Sequence, residues 1–322
     1  MDISTATRRL TDHVRVCVRD WQLWRPGDTL LMACSGGLDS VATAALLCEL
    51  APSLGHTLVL GHIDHGLQPG AAPLEAVTEL SRRLDVDLRV TRLTLTPGAN
   101  LQGRARSARY EALTAIAAET GAARIVTAHH ADDQAETFLM RACRGAGLDG
   151  LSGVRRRNGQ LVRPVLTVTR AQLRAFADER QLRWWEDPTN ADQGFTRNRL
   201  RSAYMADLEQ AIEGAALGLG QSAVQISSAK RGYDYWLRRA IEPLRRQNDA
   251  IGVEHAKIPT DADATVVLFQ LLAEQAGVPP LSARALRQLV QAARLKRPCN
   301  IHRGSAWSSD GIFWLRPHLE DQ

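Results

Sequence analysis

The sequence predicts an α/β fold, a parallel sheet with helices on both faces, followed by a mostly helical C-terminal domain. Two observations carry this expectation. Short apolar runs alternate with helical stretches through residues 29–166, and from about Ile212 that alternation gives way to long, mostly helical sequence.

Thr29–Ala33 (TLLMA) reads as the first buried strand. Leu38, Val41, Ala42, Ala45, Leu46 and Leu50 then recur at helical spacing, giving a helix over residues 38–50. Further strands read at 57–63, 87–93, 124–128 and 161–165, with helices at 72–84, 102–120 and 132–144. Repeated βα alternation of this kind builds a Rossmann-like parallel sheet, whose ligand site lies beyond the carboxyl ends of the strands. Past a Pro/Thr/Asp break at 258–264, helices are expected at 266–276 and 282–293. Residues 299–315 then alternate as a small hairpin around Ser308-Ser309-Asp310-Gly311. The expected domains are residues 1–211 and 212–322.

With 322 residues, 44% of them hydrophobic, the chain can build a full core in each of two domains. The net charge is only +5, yet three of the 40 basic residues are lysine and the rest arginine. Guanidinium forks match phosphates, so the bias suits a nucleic-acid partner, although codon usage explains it equally well. Cys17, Cys34, Cys48, Cys143 and Cys299 show no paired spacing, which argues against zinc, an iron–sulfur cluster, a redox cofactor or a disulfide framework. Cys34 reads as a small apolar residue ending the first strand. The N-terminal segment lacks a signal-type apolar stretch, and no run approaches the roughly 18 apolar residues of a membrane span. A cytoplasmic location, away from membranes, is expected, with oligomerisation open.

The segment Ser35-Gly36-Gly37-Leu38-Asp39-Ser40 falls between the first strand and its helix. A loop in that place aims backbone N–H groups and the positive end of a helix at whatever lies beyond the strand. Its glycines admit a close-lying phosphate. It is not the common lysine-bearing phosphate loop, since the first lysine of the chain is Lys230. Asp39 inside such a loop suits a carboxylate that holds Mg²⁺ or orients a reacting group. Ser35 and Asp39 would also serve as plain helix-capping residues.

Polar clusters follow the second strand (His62, Asp64, His65) and the fourth (His129, His130), so three of them arrive at one rim of one sheet. Asp133 and Glu136 share a face of the helix that opens there, one turn apart. Arg106, Arg109 and Tyr110 share a face of the 102–120 helix, and Arg197, Arg199 and Arg201 follow a turn at 187–190. Phosphate contacts or solvated surface positions account for these arginines equally. Residues 145–150 fit G-x-G-x-x-G but follow a helix rather than a strand, so a dinucleotide reading fails.

In order along the chain, SGGLDS (35–40), HIDHGL (62–67), ARSARY (105–110), TAHHADDQAET (127–137), RGAGLDGL (144–151), EDPTN (186–190) and RNRLR (197–201) resemble the tRNA(Ile)-lysidine synthetases. These are members of the N-type ATP pyrophosphatases, also called the PP-loop superfamily, and the likeness spans about the first two thirds of the chain. Ala206 stands where the family usually has proline, Gln68 replaces a commonly basic position, and the last third is only faintly similar.

The resemblance implies that ATP, free lysine and the wobble cytidine of a tRNA(Ile) with a CAU anticodon give lysidine, AMP and pyrophosphate. It places ATP on Ser35, Gly36, Gly37, Leu38, Asp39, Ser40, His62 and Arg109, with Mg²⁺ on Asp39. It places the lysine on Asp133 and Glu136, and RNA or phosphate contacts on Arg106, Arg197 and Arg201. Catalytic roles fall to Asp39, His130 and Asp133. Deprotonating a lysine ammonium at pH 7 costs about 4.6 kcal/mol, so His130 or His129 is expected to accept the proton. A thiolating relative would need paired cysteines, an amide-forming NAD or GMP synthetase would leave 127–137 unexplained, and a non-catalytic nucleotide-binding regulator would not need Asp133, Glu136 and both histidines at one rim.

Overall fold

The computed structural model describes residues 4–64, 72–94, 101–186, 200–241, 244–279, 281–302 and 304–317. They group into two compact units, Met1–Ser227 and Ser228–Gln322.

In the first unit, β1 (Thr29–Ala33) is followed by α2 (Leu38–Leu54), after an N-terminal helix α1 (Thr5–Asp20). Then come β2 (Thr57–Asp64), α3 (Ala72–Leu84), β3 (Asp87–Arg92), α4 (Leu101–Glu119), β4 (Arg124–Val126) and α5 (Ala131–Ala142). A short α6 (Leu148–Leu151), the strands β5 (Arg157–Asn158) and β6 (Leu161–Val162), and α7 (Arg170–Glu179) complete the sheet layer. The strand order is β3-β2-β1-β4-β6-β5, parallel except for the antiparallel edge strand β5. The order reverses between β1 and β4, the switch point at which such sheets open a ligand crevice.

Strand periodicity decides which helix covers which face. Leu30 and Met32 pack with Leu10, Val41, Leu46, Val77 and Phe176, so α1, α2, α3 and α7 lie against one face. Leu31 points the other way, into a cluster with Leu113 and Ile116 of α4 and Ile125 of β4. Because β1 is covered on both sides, its three central residues are all fully buried and its sequence shows no polar alternation. β4 and β6 stop earlier than their apolar runs suggested, since the chain turns out of the sheet to form the rim.

Beyond a π-helical turn Leu200–Tyr204, α8 (Met205–Ala211) contains Ala206, and α9 (Ala215–Ile241) runs past the expected 211/212 boundary. Small residues let the start of α9 lie close on α5: a Cβ at Gly220 would sit 3.0 Å from the Ala131 carbonyl oxygen. That packing holds residues up to Ser227 with the first unit.

In the second unit, α10 (Ala262–Gln275) and α11 (Ala283–Leu295) appear near the expected positions, as does the hairpin β10 (Gly304–Ser309) and β11 (Ile312–Pro317). Asp310 and Gly311 both have positive φ, the two-residue turn that matches strand twist. The hairpin is the centre of a larger antiparallel sheet, β7-β8-β11-β10-β9, with β7 (Arg245–Gln247), β8 (Ala250–Glu254) and β9 (Cys299–Ile301). Val253, Leu268, Phe269, Leu289 and Phe313 form its core with the two helices. No described helix is long and apolar enough to cross a membrane.

Phe176 of α7 is 1% exposed and belongs to the main core cluster. Phe176→Ala should lower the unfolding free energy by about 3–5 kcal/mol in a urea titration, the usual cost of an aromatic cavity. A change below about 1 kcal/mol would mean that α7 contributes little to this core.

Candidate active site

The loop after β1 is shaped by its own backbone. Gly36 has φ +88°, and a Cβ there would meet the Pro73 carbonyl oxygen at 2.6 Å, so only glycine fits. Its carbonyl accepts from the Trp185 amide at 2.8 Å. Ser40 Oγ donates to the Gly37 carbonyl at 2.9 Å and accepts from the Ser35 amide at 3.2 Å. The buried Ser40 hydroxyl therefore braces the loop instead of reaching outward, while Ser35 Oγ lies 3.2 Å from it. His62 Nδ1 donates to the Cys34 carbonyl at 2.9 Å, fixing the end of β1 from the neighbouring strand and leaving Nε2 as the acceptor nitrogen. Cys34 is buried and its thiol is pushed up by burial, which fits a packing role rather than a reactive one. What remains for an anion are the first-turn amides of α2, which a helix leaves without internal acceptors.

The loop after β4 brings a second group of side chains to the same rim. His130, 1% exposed, stands 3.6 Å from Asp39, 3.2 Å from Asp132 and 3.5 Å from Asp133. Asp133 Oδ2 also accepts the His130 backbone N–H at 3.1 Å, closing the first turn of α5. Asp132 accepts the Arg170 amide at 2.9 Å, and Arg170 Nε lies 3.4 Å from Asp39 Oδ1. Burial alone would depress the imidazole pKa, but Asp133, Asp132 and Asp39 override it and push it up to about 10. Burial likewise opposes ionisation of Asp132, yet the bonds from His130 and the Arg170 amide hold its carboxyl below the ordinary value. Glu136 follows one turn later and is 1% exposed.

His129 has a different environment. Its Nδ1 lies 2.9 Å from Thr127 Oγ1 and accepts from Arg163 Nε at 3.4 Å. A guanidinium only donates, so the ring proton of neutral His129 sits on Nε2. Arg163 itself is 5% exposed and also donates to the Arg155 carbonyl at 2.5 Å. Burial lowers its pKa from the usual arginine value, against the opposing effect of Tyr110. Arg106 and Arg109 lie over the Tyr110 ring at 5.1 and 5.5 Å. The cationic stack thus sits at the start of α4, with Arg163 behind it.

The segment after α5 folds back on that helix. Arg141 donates to the carbonyls of Gly150 and Gly153 at 2.9 and 3.0 Å, and Gln134 exchanges two bonds with the Val154 backbone. Gly153 has φ +65°, and a Cβ would collide with Gln134 Oε1.

Comparison with known proteins gives this arrangement a lineage. A family model of the PP-loop domain matches residues 7–208. The tRNA(Ile)-lysidine synthase of Leifsonia xyli subsp. xyli is 37% identical over 271 residues, which is 83% of this chain and 77% of that protein. The chain belongs to the tRNA(Ile)-lysidine synthase family. Another member, from Pseudomonas fluorescens, is 40% identical over 222 residues, covering 66% of this chain but only 49% of its own length. Among solved structures, the U34-tRNA thiolase NcsA from Methanococcus maripaludis aligns with a TM-score of 0.59 at 16% identity, over 69% of this chain and 79% of that one, a likeness in fold.

Of the residues that carry the family likeness, Ser35 to Ser40, His62, His130, Asp133 and Glu136 lie at the strand-end rim, and Arg106 and Arg109 at the start of α4. Arg197 and Arg199, His65, Gln68 and the turn at 187–190 lie outside the described residues, as does the side chain of Arg201. Sequence reading missed Asp132, Arg163 and Arg170. Asp132 adjoins Asp133 and invited the same attention; nothing local marks the two arginines, whose partners are far away in sequence. On the proton-acceptor expectation, the three neighbouring carboxylates favour the charged form of His130, and His129 Nδ1 faces Arg163 Nε.

The family's ATP chemistry implies Mg²⁺. Asp39 Oδ1 is a buried carboxylate oxygen that accepts no hydrogen bond among the described residues. The described residues contain no group of three potential metal ligands. Such a site fits Mg²⁺ bound by one carboxylate and substrate phosphates, not a protein cage.

His130 binds its proton more tightly folded than unfolded. The resulting stability is fully present below the unfolded pKa near 6.5 and is lost as pH rises through about 10. With divalent cations removed, the stability difference between wild type and His130→Gln should shrink steadily from pH 6.5 to 10 in urea denaturation. A difference independent of pH over that range would contradict a charged His130.

Proposed function

We propose that the protein ligates lysine to carbon 2 of the wobble cytidine of a tRNA(Ile) with a CAU anticodon, using ATP and releasing AMP and pyrophosphate. One observation carries the reading: His130 touches Asp39 of the phosphate-side loop and Asp133 of the acidic helix at once, so both halves of such a reaction share one rim.

In the first step the carbonyl oxygen on carbon 2 of cytosine attacks the α-phosphate of ATP, and pyrophosphate leaves. The first-turn amides of α2 and the Ser35 hydroxyl would hold the phosphates, with Arg109 and Arg106 approaching from α4. Mg²⁺ held by Asp39 would offset phosphate charge. His130, as an imidazolium, and the Nε2–H of His129 act as donors toward the developing negative charge. Flipping the anticodon base out of its stack is the geometry that admits it to the crevice. In the second step the lysine amine attacks carbon 2 and AMP leaves. Asp133 and Glu136 orient the ammonium, which gives its proton to water before the amine attacks. Arg197 and Arg201 would contact RNA or phosphate.

The second unit, from Ser228 onward, would form an accessory domain that contacts the tRNA. The reading assigns the work to the cytoplasm.

Asp133→Asn separates the two halves. It should raise the KM for lysine about 10- to 100-fold, the loss of one charge-assisted bond, while RNA-dependent pyrophosphate release from ATP without lysine changes less than threefold. Equal loss in both assays would contradict the assignment of Asp133 to the amine.

A further inference from the structure

At the opposite end of the sheet from the candidate active site lies a cavity of about 410 Å³, lined by Arg19, Gln22, Trp24, Arg25, Arg124 and Arg157, together with Pro26. Its volume falls within the range of small-ligand pockets. Arg124 is the first residue of β4 and residues 22–26 lead into β1, so the cavity faces the amino ends of the central strands. The five residues of β1 put about 16 Å of strand between it and the loop that begins at Ser35. A molecule in the ATP site does not fill both.

Four arginines line this cavity, and none of the ion pairs among the described residues involves any of them. The hydrogen bonds of three of these guanidinium groups go to carbonyls. Arg124 donates from Nε to the Leu23 carbonyl and from a terminal nitrogen to the Ala123 carbonyl, each at 3.0 Å. Arg19 reaches the Ser53 carbonyl at 3.4 Å, and Arg157 the Gly159 carbonyl at 3.5 Å. One carboxylate lies in the same turn, Asp28, which accepts the Arg25 backbone N–H at 2.9 Å and leaves the four arginines in excess. Carbonyl dipoles hold these side chains in place without cancelling their charge. Clustered like charges cost free energy unless an anion joins them.

We propose that this cavity is a second phosphate-binding site, separate from the loop after β1. Arginine forks recognise phosphate oxygens two at a time, and the Trp24 side chain adds an apolar wall. The phosphate comes either from an RNA backbone or from a free phosphate compound. This inference stands on the pocket alone and does not depend on which reaction the other rim performs.

The test uses the full chain and the double variant Arg25→Gln with Arg157→Gln, both exposed positions. Arg8→Gln with Arg9→Gln, an equal charge change on the exposed side of α1, serves as the control. Inorganic pyrophosphate is titrated calorimetrically, and an unmodified tRNA transcript is titrated without ATP over a range of salt. The pocket variant should weaken pyrophosphate binding at one of two sites about tenfold or more, or lower the salt slope of RNA affinity by about 1–2 relative to the control. The first result identifies a free phosphate compound as the source and the second an RNA backbone; both together identify a site open to either. Arg19→Gln with Arg157→Gln should behave alike, and melting temperatures check that each variant folds. If neither pair differs from the control in either titration, the site does not exist.

Discussion

A buried histidine, flanked by three carboxylates that favour its charged form, links two distant loops. His130 sits between Asp39 at the end of β1 and Asp132 and Asp133 at the start of α5, and the rest of the rim is arranged around that contact. A charge buried as deeply as that of His130 is tolerable only with carboxylates beside it. Removing the imidazole would leave three carboxylates facing one another; removing one carboxylate still leaves two beside the ring. The interaction thus fixes geometry more than it adds stability, and it fixes the two loops on which the proposed reaction depends.

The sheet makes that contact possible. Since β1 and β4 are adjacent and parallel, the segments that leave them emerge side by side at the switch point. Much of what looks like ligand chemistry in the sequence is in fact scaffold for it. Ser40 and His62 hold backbone carbonyls, Gly36 makes room for Pro73, and Gln134 and Gly153 fasten the segment after α5. The residues proposed to meet a substrate are fewer: the first-turn amides of α2, Ser35, the α4 arginines and the acids of α5. Arg163, buried behind them, sets the tautomer of His129.

Residues with a local pattern were legible in the sequence. The TLLMA run and the helix after it announced a strand, a loop and a phosphate-facing helix, and all four central strands appear in place. Spacing alone placed Asp133 and Glu136 on one face. What depended on distant partners was hidden. α7 is the exception, marked locally by the capping box of Thr169 and Gln172 ahead of Leu173, Phe176 and Ala177. Arg170 becomes part of the site because its amide meets Asp132. β7, with Arg245, Arg246 and Gln247 all exposed, carries no apolar signal and is a strand only because β8 pairs with it. The protonation of His130 was hidden for the same reason, since three carboxylates reach it from two loops.

A crystal structure with a non-hydrolysable ATP analogue and free lysine bound together addresses the central claim most directly. The expected result has the analogue's phosphates on the amides of residues 36–40 and the lysine ammonium within hydrogen-bonding reach of Asp133, both in one crevice. A lysine seated away from α5, or a triphosphate that leaves the loop after β1 empty, would contradict the account.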